Sequence, residues 1–134
     1  MKPIIAAVAA LSVCQLSAQE LMTADQLLNN ARNEDMAMAV LLYVAGWRDG
    51  TSAQLLYTAE SLRESGGDIG RHADYEEALG RCLGRLQATD LIRQLASAAS
   101  TGRVSPQQSF ARAALLDAGV ELCQESITEA LVED

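Results

Sequence analysis

The sequence predicts an all-α protein, a compact bundle of five or six helices with one disulfide, carried behind an N-terminal export signal. Three observations lead there. Ala, Leu, Gln, Glu and Arg dominate the chain beyond residue 18, and these residues lose little on entering a helix. β-branched residues are sparse and few segments alternate apolar with polar side chains, so strands are not expected. Capping residues recur in order along the chain, most of them followed by an apolar stripe at helical spacing.

The first segment, MKPIIAAVAALSVCQLSAQE, has one basic residue, an apolar run over 4–13, and small and polar residues before an acidic stretch. That order belongs to a secretory signal peptide. Its apolar run is about half of the ~20 residues a membrane-crossing helix needs. Cleavage after Ala18 is expected, which makes 1–18 the signal and delivers 19–134 to the periplasm as a single domain. Val13 stands where a lipidated cysteine needs a small residue before it, so Cys14 is not read as a lipid anchor. Loss of Lys2 takes the formal charge from −8 to −9 and leaves nine arginines against eighteen carboxylates, with no lysine. Such a surface repels nucleic acid and anionic lipid; it would attract and orient a basic protein partner, and on charge alone the competing reading, that it only keeps a small domain soluble, is favoured. Cys14 leaves with the signal, and the remaining pair, Cys82 and Cys123, is expected to form a disulfide in an oxidising compartment.

The elements follow in order. Thr23 caps a first helix to about Arg32, with Leu27 and Leu28 inward. Asn33 caps a second over 34–48; its residues 36–47 include no charge, so it should be the buried centre of the domain. YVAGWRDGTS then reads as a helix corner. Gly50 takes the left-handed conformation that stops the helix, and Gly46 makes room for a neighbouring helix beside Trp47. Asp49 accepts from the amides of Thr51 and Ser52, one of which caps a third helix carrying Leu55, Leu56, Ala59 and Leu62. SGGDIGRH, 65–72, should be an exposed loop; with no preceding strand and no following Lys-Ser or Lys-Thr, it is not a phosphate-binding loop. Asp74 and Glu77 form a capping box for a fourth helix that bears Cys82 and is weakened by Gly80 and Gly84. Thr89 or Asp90 opens a fifth, with Leu91, Ile92, Leu95 and Ala98 inward and Gly102 at its end. Ser105 and Pro106 of SPQQ open the last long helix, through Phe110, Ala113, Leu116, Val120 and Cys123. The tail extends it with Ile127 and Leu131 as anchors.

Catalytic material is thin, and neither an enzyme nor a cofactor or metal site is expected. His72 is the only histidine, and one histidine with two cysteines falls short of an ordinary zinc site. Cys82 with His72 as base is a nucleophilic pair on paper, but pairing with Cys123 claims the thiol. Glu76 and Glu77 are adjacent, so on a helix they point about 100° apart and do not face each other as acid and base. Glu121, Glu125 and Glu129 read as a solvated acidic stripe.

The signal segment, LL followed by a short polar gap, YVAGWRDG, a single cysteine, TDLIRQLASAA, SPQQSFARAAL and a final cysteine together resemble the Rap/Tai family, over roughly 27–123. The sharpest matches are Tyr43, Gly46, Asp49 and Gly50, in a Y-I-x-G-x-x-D-G pattern that encloses Trp47, and the pair Cys82 and Cys123. Where many relatives carry a further cysteine pair, this chain has Asn30 or Ala31 and Val40. Family members of known role are periplasmic immunity proteins that neutralise cell-wall amidase effectors of the type VI secretion system. The resemblance implies an all-helical inhibitor, often a homodimer, that inserts a loop into the catalytic groove of a cognate peptidoglycan amidase. Motif matching does not identify that loop. The residues themselves point to Ser65, Gly66, Gly67, Asp68, Arg71 and His72, in a polar, glycine-rich segment held by helices at both ends.

Two other function classes compete. An acid-stress chaperone of the HdeA type would exploit the swing from about −9 to +9 as eighteen carboxylates are neutralised against nine arginines. Such chaperones are rich in lysine, which 19–134 lacks. A non-catalytic interaction module of the cell envelope is the third.

Overall fold

The computed structural model describes residues 22–66 and 69–132; the expected signal 1–18 and the loop residues Gly67 and Asp68 lie outside them. Among the described residues are six helices, α1 (Ala24–Arg32), α2 (Ala37–Glu64), α3 (Gly70–Arg85), α4 (Ala88–Ser100), α5 (Ala111–Leu122) and α6 (Gln124–Val132). The all-α expectation holds, and Cys82 and Cys123 are disulfide-bonded, with Cα atoms 5.8 Å apart. The chain divides into helices differently from the sequence reading, however. Two expected helices are fused in α2, and the last expected helix breaks at Cys123.

Fusion of α2 is the main correction. Gly50 does not turn the chain: it lies inside a helix of 28 residues, and the only positive φ angles among the described residues are those of Gly66 and Gly102. A mid-helix glycine costs about 1 kcal/mol relative to alanine. Packing on both sides of it outweighs that cost. Val40 and Val44 are buried in the main core on one side, while Ser52 and Ala59 are buried beyond it on the other. Ser52 is therefore no helix cap, and Asp49 accepts from the neighbouring Arg48 Nε at 2.9 Å instead of from turn amides. Nor is α2 buried all round: Met38 and Leu42 are 66% and 67% exposed. A Cβ at Gly50 would meet nothing within 4 Å. Gly50→Ala is accordingly expected to stabilise the protein by roughly 0.5–1 kcal/mol, read as a higher urea midpoint. A lower midpoint would restore the helix corner.

α1 starts where its capping box dictates: Thr23 Oγ1 accepts from Gln26 N at 3.2 Å, and Gln26 Oε1 accepts from Thr23 N at 3.0 Å. Its other leading amides are met from far along the chain. Ala24 N donates to Ser109 O at 2.9 Å and Asp25 N to Pro106 O at 3.0 Å, while Ala111 N, at the start of α5, donates to Met22 O at 2.8 Å. The starts of α1 and α5 thus satisfy each other. SPQQ opens no helix for this reason; it forms a turn whose Pro106 carbonyl, with that of the following Ser109, serves α1. Within α5 the small residues take the core, with Ala111, Ala114, Leu115, Ala118 and Gly119 buried. Phe110 and Leu116 are 51% and 37% exposed. The alanine and glycine side wins because it permits close approach: a Cβ on Gly119 would stand 2.8 Å from Leu83 Cδ1.

Residues from five helices, α1 to α5, build the main core, with Leu27, Val44, Leu83, Leu91, Leu95 and Leu115 fully buried. Each such side chain contributes roughly 1.5–3 kcal/mol by leaving water. A second cluster of Leu79, Cys123 and Ile127 joins α3 to α6, and the disulfide runs through it. α4 ends at Gly102 as expected, where φ is +75° and Arg103 N donates back to Ala98 O at 3.0 Å.

Candidate functional site

α2 and α3 make an antiparallel hairpin whose contacts run from base to tip. At the base Arg48 Nη1 donates to Leu86 O at 2.9 Å, midway Ser52 Oγ donates to Gly80 O at 2.7 Å, and near the tip Arg63 meets Asp74 and Glu77. Gly80 and Gly84, expected only to weaken α3, set the separation of the two helices. A Cβ on Gly80 would lie 3.1 Å from Leu55 Cβ and 3.2 Å from Ser52 O, and one on Gly84 would lie 2.8 Å from Ser52 Oγ.

The hairpin extends past the hydrophobic clusters. Leu55 is the last α2 residue that packs on either cluster, and Tyr75 is the first of α3. From Leu55 to Ser65 the helix advances about 15 Å. Beyond the two clusters, buried Ala59 and Ala73 and a charge clamp hold the two helices of the hairpin together. Arg63 Nη2 donates to Asp74 Oδ1 at 2.8 Å and to Glu77 Oε2 at 2.5 Å, and Glu77 Oε1 accepts from Arg81 Nη2 at 2.6 Å. Asp74 and Glu77 are therefore not a capping box; α3 begins at Gly70 without a side-chain cap.

The hydrogen bond from Arg63 holds the Glu77 carboxyl below the usual range; partial burial opposes the shift and Arg81 adds to it. A lowered folded pKa stabilises the fold above the unfolded value, and that contribution is lost as the pH falls from about 4.3 through the folded value. Hydrogen-exchange protection over 60–66 and 70–77 is expected to fall across that window. In Glu77→Gln, protection there should already be lower at neutral pH and should vary less with acid. An unchanged pH profile would show that the clamp does not hold the tip.

Of the expected partner-binding residues, Ser65, Gly66, Arg71 and His72 gather at this tip, all exposed, and Gly67 and Asp68 lie outside the described residues. Ser65 closes α2, its hydroxyl donating to Leu62 O at 2.8 Å, and Gly66 follows in the left-handed conformation at φ +72°. Arg71 and His72 do not belong to the loop as expected; they occupy the first turn of α3, and His72 Nε2 stands 3.5 Å from Glu76 Oε1 one turn on. The loop is shorter because Ala73 N already donates to Ile69 O, closing the first helical turn.

The YVAGWRDG residues divide between two surfaces of α2. Tyr43 and Trp47 are half-buried against the main core. The Tyr43 hydroxyl has no hydrogen-bond partner among the described residues, and burial pushes its pKa up against the opposing charge of Arg112. Gly46 and Gly50 face outward with nothing within 4 Å of a Cβ position. Gly46 thus makes no room for a neighbour among the described residues, contrary to the expectation; with Met38 and Leu42 it lies on an exposed, largely apolar face beside Asp49.

Comparison with protein-family models, with curated proteins and with solved structures finds no match to this chain. The chemistry of the site therefore rests on its own residues. Cys82 is bonded to Cys123 and offers His72 no thiol. Among the described residues, no three His, Cys, Asp or Glu side chains are grouped to hold a metal ion, and no helix is long and apolar enough to cross a membrane. Sequence reasoning missed the Arg63 clamp, whose partners lie 11 and 14 residues away. The signal was present as a basic residue near the end of one helix and two acidic ones at i and i+3 early in the next.

Proposed function

We propose that this chain is a periplasmic immunity protein that binds a secreted cell-wall amidase and blocks its active site with the tip of the α2–α3 hairpin, with no turnover of its own. The observation that carries this reading is the braced projection itself. A glycine-containing tip extends past the core clusters by about 15 Å along α2 from Leu55 but only about 7.5 Å along α3 from Tyr75, and Arg63 of α2 ties the two helices together through Asp74 and Glu77 of α3, which lowers the entropy lost when it enters a groove. The resemblance to the Rap/Tai family supplies the partner class, and the acidic surface favours a basic face on that partner. Association should slow as salt rises, because charges further apart than about 8 Å are largely screened near physiological ionic strength.

The resemblance also implies a homodimer, for which the exposed α2 face with Met38, Leu42, Gly46 and Gly50, which also carries exposed Asp49, is the fitting surface. Leu42→Glu is expected to yield folded monomers by sedimentation, with unchanged helical circular dichroism at room temperature and loss of the concentration dependence of the melting temperature. The immunity reading is tested by co-expressing the protein in the periplasm with the amidase of its own gene cluster and following lysis. Protection is expected; continued lysis despite a stable, exported protein rejects the reading for that pair.

A further inference from the structure

A groove lies on another part of the molecule, where the end of α1, the start of α2 and the first half of α4 meet. Its volume is about 380 Å³, at the lower end of the ~300–1,000 Å³ range of small-molecule sites. The lining is almost entirely apolar, from Leu28, Ala31, Ala37, Leu41, Ile92 and Ala96. Its charged lining residues are two arginines, Arg32 and Arg93, and no carboxylate contributes to it. That local sign is the reverse of the whole chain, in which eighteen carboxylates face ten basic residues. Arg93 is 78% exposed and held loosely to Asp90 at 3.3 Å. Arg32 is exposed and makes no ion pair or side-chain hydrogen bond among the described residues.

We propose that this groove binds a free single-chain carboxylate amphiphile of the fatty-acid class, its alkyl chain along Leu28, Leu41 and Ile92 and its carboxylate between Arg32 and Arg93. Guanidinium groups pair with carboxylates in a planar, two-point fashion, and the apolar floor supplies affinity while the arginines supply sign selectivity. A neutral groove would take an alcohol or a cationic amphiphile equally well. A flat basic patch would instead favour a membrane surface, but the surrounding acidic protein repels anionic bilayers.

The test is an amide-resolved NMR titration of the mature, disulfide-bonded protein with decanoate, decanol, decyltrimethylammonium and vesicles containing phosphatidylglycerol. Decanoate is expected to shift Ala31, Ala37, Thr89 and Ala96 saturably and to bind more tightly than the other three. Arg32→Glu with Arg93→Glu, both exposed and hence compatible with the fold, should weaken decanoate about tenfold or more and leave decanol nearly unchanged. Ala96→Trp should fill the groove and abolish both. Equal binding of the cationic amphiphile, a preference for vesicles, or shifts centred on Met38 and Leu42 would each overturn the proposal.

Discussion

Replacing Cys82 and Cys123 together with alanine is expected to remove about 4 kcal/mol of stability, the chain-entropy value for a cross-link spanning 41 residues. The position of the bond makes this loss global. Cys82 lies in α3 and Cys123 between α5 and α6, so the cross-link ties the hairpin to the C-terminal helices. Cys123 is fully buried beside Leu79 and Ile127, in a cluster against which Leu55, Tyr75, Leu86 and Leu131 also pack. For a domain of this size the loss lowers the melting temperature by about 15 °C or more. Urea denaturation of the parent and the double variant, each with and without reductant, reads the effect. A parent that is indifferent to reductant would show that the cross-link adds nothing to the fold.

Gly80→Leu is expected to destabilise by about 3 kcal/mol, the upper part of the usual range for overpacking. The first added atom already crowds Leu55 Cβ at 3.1 Å and the Ser52 carbonyl oxygen at 3.2 Å, and a carbonyl cannot rotate aside as a side chain can. The helices must separate, which also breaks the buried hydrogen bond from Ser52 Oγ to Gly80 O. Gly80→Ala should fall much nearer the parent, because better helix propensity offsets the smaller intrusion. Chemical denaturation of the two variants beside Gly50→Ala separates close approach from propensity. If leucine at position 80 were tolerated, the hairpin would have to be packed through another face.

The contrast between these glycines explains what the sequence could and could not reveal. Capping chemistry is local, so Thr23 with Gln26 and the stop at Gly102 were legible. A glycine's role in a helix is not local: Gly50 and Gly80 look alike in the chain, yet one faces open space and the other a helix 28 residues distant. Gly50 reads as a stop because nothing nearby in sequence reveals that Ser52 is buried with its hydroxyl on Gly80 O of α3. The same limit applies to SPQQS, where the carbonyls of Pro106 and Ser109 serve amides of α1 some 80 residues earlier. In α5 apolar residues occur on both sides of the helix, but Arg112, Asp117 and Glu121 mark the solvent side, and the side of small residues is held close by the contact of Gly119 with Leu83. Of the candidate site, the sequence revealed the exposed, glycine-bearing segment but neither the clamp that braces it nor the short span left between α2 and α3.

The central claim is that the hairpin tip is the part that blocks the partner enzyme. Its most direct test is an inhibition titration of the amidase from the same gene cluster with the parent protein and with Arg71→Glu plus His72→Glu. Both residues are exposed at the tip and outside the Arg63 clamp, so the melting temperature should not change. The account predicts one-to-one inhibition per amidase site by the parent and a loss of affinity of about tenfold or more in the variant. Equal inhibition by both proteins, at unchanged affinity, would contradict it.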